Sequence, residues 1–242
     1  MTDCTIRVLD VETTGLDPAV HRIVEIATVD VVVRENGEVA RGERWSSLVN
    51  PGVPIPPEAS AVHHIVDGMV ADAPPIGELV DYVKRGPPAF YCAHNRRFDM
   101  GFIRPSDIDW LCTYKIAVRL WPDCPSHSNQ CLRYWLKLKF ADDPGAPHRA
   151  PGDAYVTAAI LRRAFSVGGL TLQQMLDISN DPALLPRFSF GEHRGKSIAE
   201  VPTDYLDWCR RNILDNEDVN FTASYELRRR ASRTTSAAHA TP

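Results

Sequence analysis

Two acids stand two residues apart in the segment RVLDVETTGLD, which runs from Arg7 to Asp17. Asp10 and Glu12 lie in a run of apolar residues that predicts a buried β-strand, where side chains at i and i+2 point to the same face. Burying two like charges side by side is costly unless a positive charge compensates them. The pair therefore either faces solvent or binds a cation.

Three more residues could complete such a cation site. Asp99 follows His94-Asn95 at the end of a predicted strand, and Asp153 begins a predicted helix. Mg²⁺ takes oxygen ligands, and two ions about 4 Å apart can activate a water and stabilise the leaving oxygen in phosphoryl transfer. His148, five residues before Asp153, can accept a proton from such a water near neutral pH. Each residue alone is better explained as a helix cap or an exposed loop residue, so the interpretation depends on the combination.

The elements that must position these residues are short and alternate along the chain. Val- and Ile-rich runs predict strands, and an Asn-Gly turn links the second strand to the third. The strands are predicted at 5–11, 23–33, 44–49, 89–93 and 110–113. Helical spacing is found at 76–85, 98–103, 130–138 and 153–165. A meander followed by alternating helices and strands predicts an α/β fold with a mixed central sheet flanked by helices.

The composition along the chain predicts four segments. The α/β domain covers 1–167, and a linker helix follows at 168–186. A small C-terminal α+β module is predicted at 187–230, with a hairpin around the basic turn His193-Arg194-Gly195 followed by a helix. Residues 231–242 lack apolar content, so we expect a disordered tail.

Composition and charge exclude some classes of protein. The net charge of −4 argues against a protein that coats nucleic acid by bulk positive charge, but not against an enzyme whose acids bind metal. No apolar run approaches the roughly 20 residues that span a bilayer, and no signal peptide is visible. The six cysteines include no C-x-x-C pair, so we expect reduced thiols in a cytoplasmic protein.

The ordered motifs DVETTGLD, HNRRFD and HRAPGD resemble those of the DEDDh exonucleases, which have a ribonuclease H-like fold. The last motif fits the H-x-A-x-x-D form of the family, with His148 in the histidine position. PPEASAVHHIVDGMV looks like another family segment, with His63 in its histidine position. The C-terminal FGEHRGKSIAEVPTDYLDWC resembles one DNA-degrading branch of the family, and the resemblance covers about residues 5 to 215.

The resemblance implies a 3′→5′ exonuclease that releases nucleoside 5′-monophosphates with two Mg²⁺ or Mn²⁺ ions. His148 would deprotonate the attacking water, and the four acids would hold the metals: Asp10, Glu12, Asp99 and Asp153. Leu16 would wedge against the last base, and His63 would touch the terminal nucleotide. The remaining implied substrate contacts are Thr13, Thr14, Asn95 and Phe98. A plain turn explains Thr14-Gly15 equally well, and a core contact explains Leu16. A strand-end asparagine and a packed phenylalanine explain Asn95 and Phe98.

Four basic residues could contact the DNA backbone. Arg96 and Arg97 follow His94-Asn95, where they could bind phosphates or simply begin a solvated helix. Arg194 and Lys196 lie near the turn of the C-terminal module, and a basic turn of this kind could bind a nucleic-acid backbone. A charged turn that serves only solubility is the alternative.

The expected partner is DNA, at single-stranded 3′ ends, with duplex ends or RNA as other options. DNA repair is the process that the resemblance suggests. An exoribonuclease that trims oligonucleotides keeps the same chemistry with another substrate. A catalytically inactive nucleic-acid-binding protein is disfavoured, because all four acids and the histidine are present. The sequence leaves the oligomeric state open, a dimer included.

Overall fold

A central sheet forms where Val and Ile dominate the N-terminal half of the chain. The computed structural model describes residues 3–103, 107–188 and 190–238, and the sheet has five strands within them. Their order is β3-β2-β1-β4-β5, where β1 pairs antiparallel with β2 and parallel with β4. The strands are β1 (Cys4–Thr13), β2 (Ile23–Val33), β3 (Val39–Leu48), β4 (Phe90–Ala93) and β5 (Trp110–Cys112).

Helices cover both faces of this mixed sheet. One apolar core lies between the sheet and α7, and a second lies on the opposite face under α3. This arrangement confirms the predicted α/β class with a mixed sheet. The helices of the described residues are α1 (Pro57–His63), α2 (Asp67–Val70), α3 (Ile76–Lys84), α4 (Arg96–Ile103), α5 (Thr113–Leu120), α6 (Asn129–Trp135), α7 (Ala150–Val167), α8 (Leu172–Asn180), α9 (Thr203–Asn212) and α10 (Glu217–Ala238).

Some predicted bounds differ from the structure. β2 has the bounds that the sequence predicts, whereas β3 begins five residues earlier, at Val39. Its early residues include Arg41, Gly42, Glu43 and Arg44, which carry no apolar alternation, although Arg41 and Arg44 pair with β2 on the two sides of a register shift. Helix α5 was not predicted, because it starts at Thr113 directly after β5 ends at Cys112, with no turn residue between them to mark the change.

The C-terminal residues form a third apolar core of their own, which includes Phe188, Leu206 and Val219. The two sides of the predicted hairpin pair only briefly: among the described residues, Arg187 and Ser197 form an isolated antiparallel bridge, and Phe188 exchanges backbone hydrogen bonds with Gly195 and Lys196. The sequence predicts a disordered tail from residue 231, whereas α10 continues through 231–238 in the structure. The alanines of this segment have a high intrinsic helix propensity, which favours the extension. Residues 239–242 lie outside the described part of the chain.

The six cysteines are all free thiols, as the sequence predicts. Four of them are buried within the structure. Among the described helices, none combines the length and the apolar character that crossing a membrane requires.

Candidate active site

Asp10 and Glu12 project from the face of β1 that packs toward α7. The alternation of the strand puts Ile6 and Val8 in the core on that same face. The ladder between β1 and β4 spans Ile6–Val8, so Asp10 and Glu12 come after its last pair. The two acids therefore lie where β1 extends past the end of β4, its parallel neighbour.

Asp153 completes a cluster of three carboxylates. One carboxylate oxygen from each of Asp10, Glu12 and Asp153 lies within 4.8 Å of the other two. Asp153 belongs to the first turn of α7, where it accepts hydrogen bonds from Gln130 Nε2 at 2.8 Å and from the backbone N–H of His148 at 2.9 Å. These two donors fix the Asp153 carboxylate toward the strand acids.

Asp99 lies buried in the first turn of α4, on the other side of the cluster. Burial raises its pKa to about 8, although hydrogen bonds from its own backbone N–H and from that of Val11 oppose the rise. The hydrogen bond from Val11 ties Asp99 to β1 next to Asp10. Asp99 stands outside the set of three converging carboxylates, but its charge raises the pKa of Asp10.

The carboxylates of the cluster are poorly stabilised as anions. Burial raises the pKa of Asp10 well above its usual range, and the charges of Asp99 and Asp153 add to this effect. Burial and the neighbouring acids Asp153 and Glu25 raise the pKa of Glu12 to about 8. Converging oxygen ligands with this unrelieved repulsion fit hard divalent cations, which would relieve it.

His148 lies at the exposed rim of the cluster, in the loop before α7. Its backbone has a left-handed φ of 57°, which is uncommon for a residue with a side chain. The hydrogen bond from its N–H to Asp153 fixes the loop against the cluster. The structure thus brings the predicted base and the predicted metal ligand together through the backbone.

Glu25 is a site neighbour that the sequence analysis missed. It lies directly opposite Glu12 in the β1–β2 ladder and is only 3% exposed. Arg149 binds it with two hydrogen bonds, Nε to Oε2 at 2.9 Å and Nη2 to Oε1 at 2.5 Å, and the N–H of Ala150 donates to Oε2 at 2.9 Å. A lone acid in the apolar run IVEIATV was the signal that could have revealed it.

The turn after β1 uses its threonine hydroxyls internally. Thr13 Oγ1 donates to the carbonyl of Gly15 at 2.7 Å, and Thr14 Oγ1 accepts from the N–H of Arg22 at 3.0 Å. Leu16, at the tip, is 82% exposed. An apolar side chain held in solvent beside a charged site is free to pack against a ligand.

His63 lies at the end of α1 and is buried. Its Nδ1 accepts from the N–H of Ile65 at 3.0 Å, while Nε2 has no partner in good hydrogen-bond geometry. Burial lowers the pKa of His63, although the nearby carbonyl of Thr13 opposes this shift. Asn95 is exposed beside the start of α4, whereas Phe98 packs in the core with its ring centroid 5.0 Å from that of Phe102.

The predicted basic contacts have different surroundings. The guanidinium of Arg96 turns inward and donates to the carbonyl of Trp110, which disfavours a phosphate contact. Arg97 is exposed and pairs with Glu217 at 2.6 Å. Arg194 and Lys196 are exposed on the C-terminal turn, as a backbone contact would require.

Comparison with known proteins gives the family to which this site belongs. The model of the RNase_T exonuclease family matches residues 8–161, which include every residue of the acidic cluster. The chain belongs to this exonuclease family. The membership confirms the resemblance that the three acid motifs indicated.

Relatives extend the likeness beyond the family domain. Exodeoxyribonuclease 10 of Escherichia coli strain K12 is 39% identical over 212 residues, which cover 86% of this chain and 91% of the relative. The DNA polymerase III subunit epsilon-like protein of Rhodobacter capsulatus is 36% identical over 180 residues, covering 69% of this chain and 25% of that protein. Because the first match is longer than the family domain, it also takes in residues outside 8–161.

Solved structures agree with this assignment. The structure of exonuclease X in complex with 5′ overhanging duplex DNA matches with a TM-score of 0.63 and 39% identity, covering 72% of this chain and 99% of that one. Exonuclease I of E. coli in complex with a dT13 oligonucleotide matches with a TM-score of 0.53 and 17% identity, covering 66% and 40%. The second likeness concerns the fold alone, and together they confirm the ribonuclease H-like exonuclease architecture.

Proposed function

We propose that this protein is a 3′→5′ exodeoxyribonuclease that releases nucleoside 5′-monophosphates from DNA ends, with repair of DNA as the process it serves. The observation that carries the proposal is the convergence of the Asp10, Glu12 and Asp153 carboxylates within 4.8 Å. The similarity to exodeoxyribonuclease 10, over nearly the whole length of both chains, supports DNA as the substrate.

The residues of the cluster have distinct parts in the proposed reaction. Asp10, Glu12, Asp99 and Asp153 would hold two Mg²⁺ or Mn²⁺ ions. When bound, the ions would supply charge stabilisation to the scissile phosphate and lower the pKa of the attacking water. His148, exposed at the rim, would accept the proton of that water at its imidazole.

The turn after β1 would seat the end of the DNA strand. The side-chain hydroxyls of Thr13 and Thr14 already make hydrogen bonds within the turn. The backbone groups of these two residues would therefore be the ones that contact the terminal 3′-hydroxyl. Leu16 would pack against the last base, because its apolar side chain is held in solvent. His63, next to Thr13, would contact the terminal nucleotide.

The test is digestion of one 5′-labelled sequence as single-stranded DNA, duplex DNA and RNA, with Mg²⁺, Mn²⁺ or a chelator. We expect a ladder that shortens from the 3′ end of DNA with either metal and no shortening with chelator. Degradation of RNA alone would refute the DNA assignment. Cleavage in the presence of chelator would refute the metal-dependent mechanism.

The variant Asp10→Asn distinguishes activity of the acidic cluster from activity of a contaminating nuclease. It removes a metal ligand without changing core volume, and loss of metal charge stabilisation costs several kcal/mol of the barrier. We therefore expect turnover to fall at least about a thousand-fold while the circular dichroism spectrum is retained. Turnover close to that of the wild-type protein would place the chemistry elsewhere.

A further inference from the structure

Helix α6 leads outward from the acidic cluster. Its residue Gln130 donates to Asp153 Oδ1 at 2.8 Å, and Arg133 Nη1 donates to Gln130 Oε1 at 3.2 Å. Tyr134 lies on the same helix face one turn beyond Gln130, because residues i and i+4 are neighbours on a helix surface. The side chains of Gln130, Arg133 and Tyr134, which we call the α6 row, connect a carboxylate of the site to solvent.

The aromatic ring of Tyr134 is exposed to solvent, so a ligand can stack on it. The residue is 71% exposed, and the guanidinium of Arg133 lies over the ring at 5.2 Å from its centroid. Arg133 also lies 5.4 Å from the ring centroid of Phe140, so it is held between two aromatic rings. One face of the Tyr134 ring is therefore covered by a cation, and the opposite face is free for a flat ligand.

The segment that carries the α6 row is positively charged in a chain whose net charge is negative. Residues 129–140 include Arg133, Lys137 and Lys139 and contain no acid, while the whole chain carries −4. Lys137 and Lys139 are exposed. This local charge favours a polyanion that passes beside the site over a neutral or cationic partner.

We propose that the α6 row binds the substrate strand just upstream of the scissile phosphate. Tyr134 stacks on a base near the 3′ end, and Arg133 contacts a backbone phosphate. Stacking of this kind tolerates every base, because each has a π-face, and it suits an enzyme that degrades strands of any sequence. The inference rests on the proposed exonuclease function and specifies how that same site holds its substrate.

The test compares Tyr134→Ser with the wild-type protein on single-stranded DNA oligonucleotides of increasing length. For longer strands, we expect KM to rise about 5- to 100-fold with kcat unchanged, which corresponds to the loss of one stacked base. For the 4-nitrophenyl ester of thymidine 5′-monophosphate, which has a scissile phosphate but no base upstream of it, KM should stay unchanged. The conservative variant Tyr134→Phe should behave like the wild-type protein on every length.

Abasic substitution along the strand locates the stacked base. One abasic position near the 3′ end should raise the KM of the wild-type protein and have no further effect on Tyr134→Ser. If no abasic position shows this coupling, or if Tyr134→Ser matches the wild-type protein at every length, the inference is wrong. Failure of the wild-type protein to degrade DNA would instead refute the proposed function.

Tyr82→Ser is the matched control on the opposite face of the sheet. Tyr82 is 45% exposed and has Arg85 over its ring at 4.6 Å, as Tyr134 has Arg133, but its ring also stacks on Trp45 with centroids 5.5 Å apart. It is therefore an exposed tyrosine with a cation over its ring, away from the site. Its KM should equal that of the wild-type protein.

Arg133→Gln tests the phosphate contact. This variant should lower the slope of log KM against log salt by about 0.7, the value of one phosphate contact on a single strand. An unchanged slope would refute the phosphate contact.

Discussion

At the scale of single residues, burial and mutual repulsion both disfavour the charged form of the carboxylates in the acidic cluster. Glu12 has a pKa of about 8, against an ordinary value of 4.5, because burial and neighbouring acids disfavour its charged form. A carboxyl group whose pKa is raised in the folded state binds its proton more tightly there than in the unfolded state. Its contribution to stability is therefore present at low pH and is lost as pH rises from about 4.5 to about 8.

Glu12→Gln tests this pH dependence of stability in the metal-free protein. Because glutamine carries no charge to repel, the variant should unfold at a higher temperature than the wild-type protein at pH 8, and the difference should shrink toward pH 5. Added Mg²⁺ should raise the unfolding temperature of the wild-type protein more than that of the variant, since binding to the folded state stabilises it. The measurement is thermal unfolding with chelator and with Mg²⁺.

The exposed acid Glu43 offers the control for this experiment. Glu43→Gln removes one negative charge from β3, outside the acidic cluster. Its unfolding temperature should show the same dependence on pH and Mg²⁺ as that of the wild-type protein. Equal responses of the two variants would contradict a specific role for Glu12.

The pair of Glu25 and Arg149 positions the residues that flank it. Arg149 follows His148 directly, and Glu25 holds both the Arg149 guanidinium and the first N–H group of α7. We predict that Glu25→Gln lowers kcat about 10- to 100-fold with little change in KM, because the loop that carries His148 is held less firmly and small displacements of reacting groups are costly. Steady-state kinetics at saturating Mg²⁺ measures this split.

Asp30→Asn separates positioning from stability. Asp30 makes a comparable two-point contact with Arg7, Oδ1 to Nε and Oδ2 to Nη2 at 2.8 Å each, on strands of the same sheet. Both variants should lower the free energy of unfolding by about 1–3 kcal/mol, because each weakens a hydrogen bond to a charged group. Only Glu25→Gln should lower the kcat of the folded enzyme; a similar loss in Asp30→Asn would make the effect general.

At the scale of elements, close packing sets the start of α7 against the loop that carries His148. A Cβ atom on Gly152 would lie 2.7 Å from the carbonyl oxygen of Ala146 and 2.9 Å from that of Pro144. Both atoms are backbone, so the loop or the helix must move. We predict that Gly152→Ala lowers kcat about 10- to 100-fold, because small displacements of reacting groups are costly.

Gly77→Ala provides the comparison in another helix. A Cβ atom on Gly77, in α3, meets nothing within 4 Å. Its kcat should equal that of the wild-type protein, as judged from mononucleotide release. If Gly152→Ala retained full kcat, the contact of α7 with the 144–146 loop would not set the geometry of the site.

The sequence predicted best those elements that bury one face or that are bounded by clear turn-forming residues. β2 is bounded by polar residues and a turn, so its limits followed from composition. α5 follows β5 without an intervening turn, so its first residue was assigned to the strand, and β3 pairs through charged residues that alternation does not reveal. Glu25 was missed for a related reason: its function depends on Arg149, which is 124 positions away.

At the scale of the whole molecule, the order of the acid motifs predicted the fold better than any local propensity did. Asp10, Asp99 and Asp153 come from a strand and two helices, and the order of their motifs matched a family whose fold brings such acids together. The tail from residue 231 was harder to predict, because a helix without an apolar face gives no signal in the pattern of burial. The C-terminal core of Phe188, Leu206 and Val219 supports a separate module from 187, which remains a proposal.

The exposed basic turn of this module gives the last prediction. Arg194→Gln combined with Lys196→Gln should weaken binding of DNA several-fold and lower the salt slope by about one to two, the value of two phosphate contacts. The kcat at saturating DNA should stay unchanged. The control Arg34→Gln, at an exposed arginine paired with Glu38 on the rim of the sheet, should leave both binding and salt slope as they are.

The dispersal of the cluster along the chain also bears on the synthesis of the protein. Asp153 follows Asp10 by 143 positions, so the site cannot assemble while α7 is still inside the ribosome. A growing chain that has already folded β1 and β2 holds two acids without their partners, and it cannot cut nucleic acid. The nuclease would therefore become active only after most of its sequence has been translated, which protects nearby nucleic acid from an incomplete enzyme.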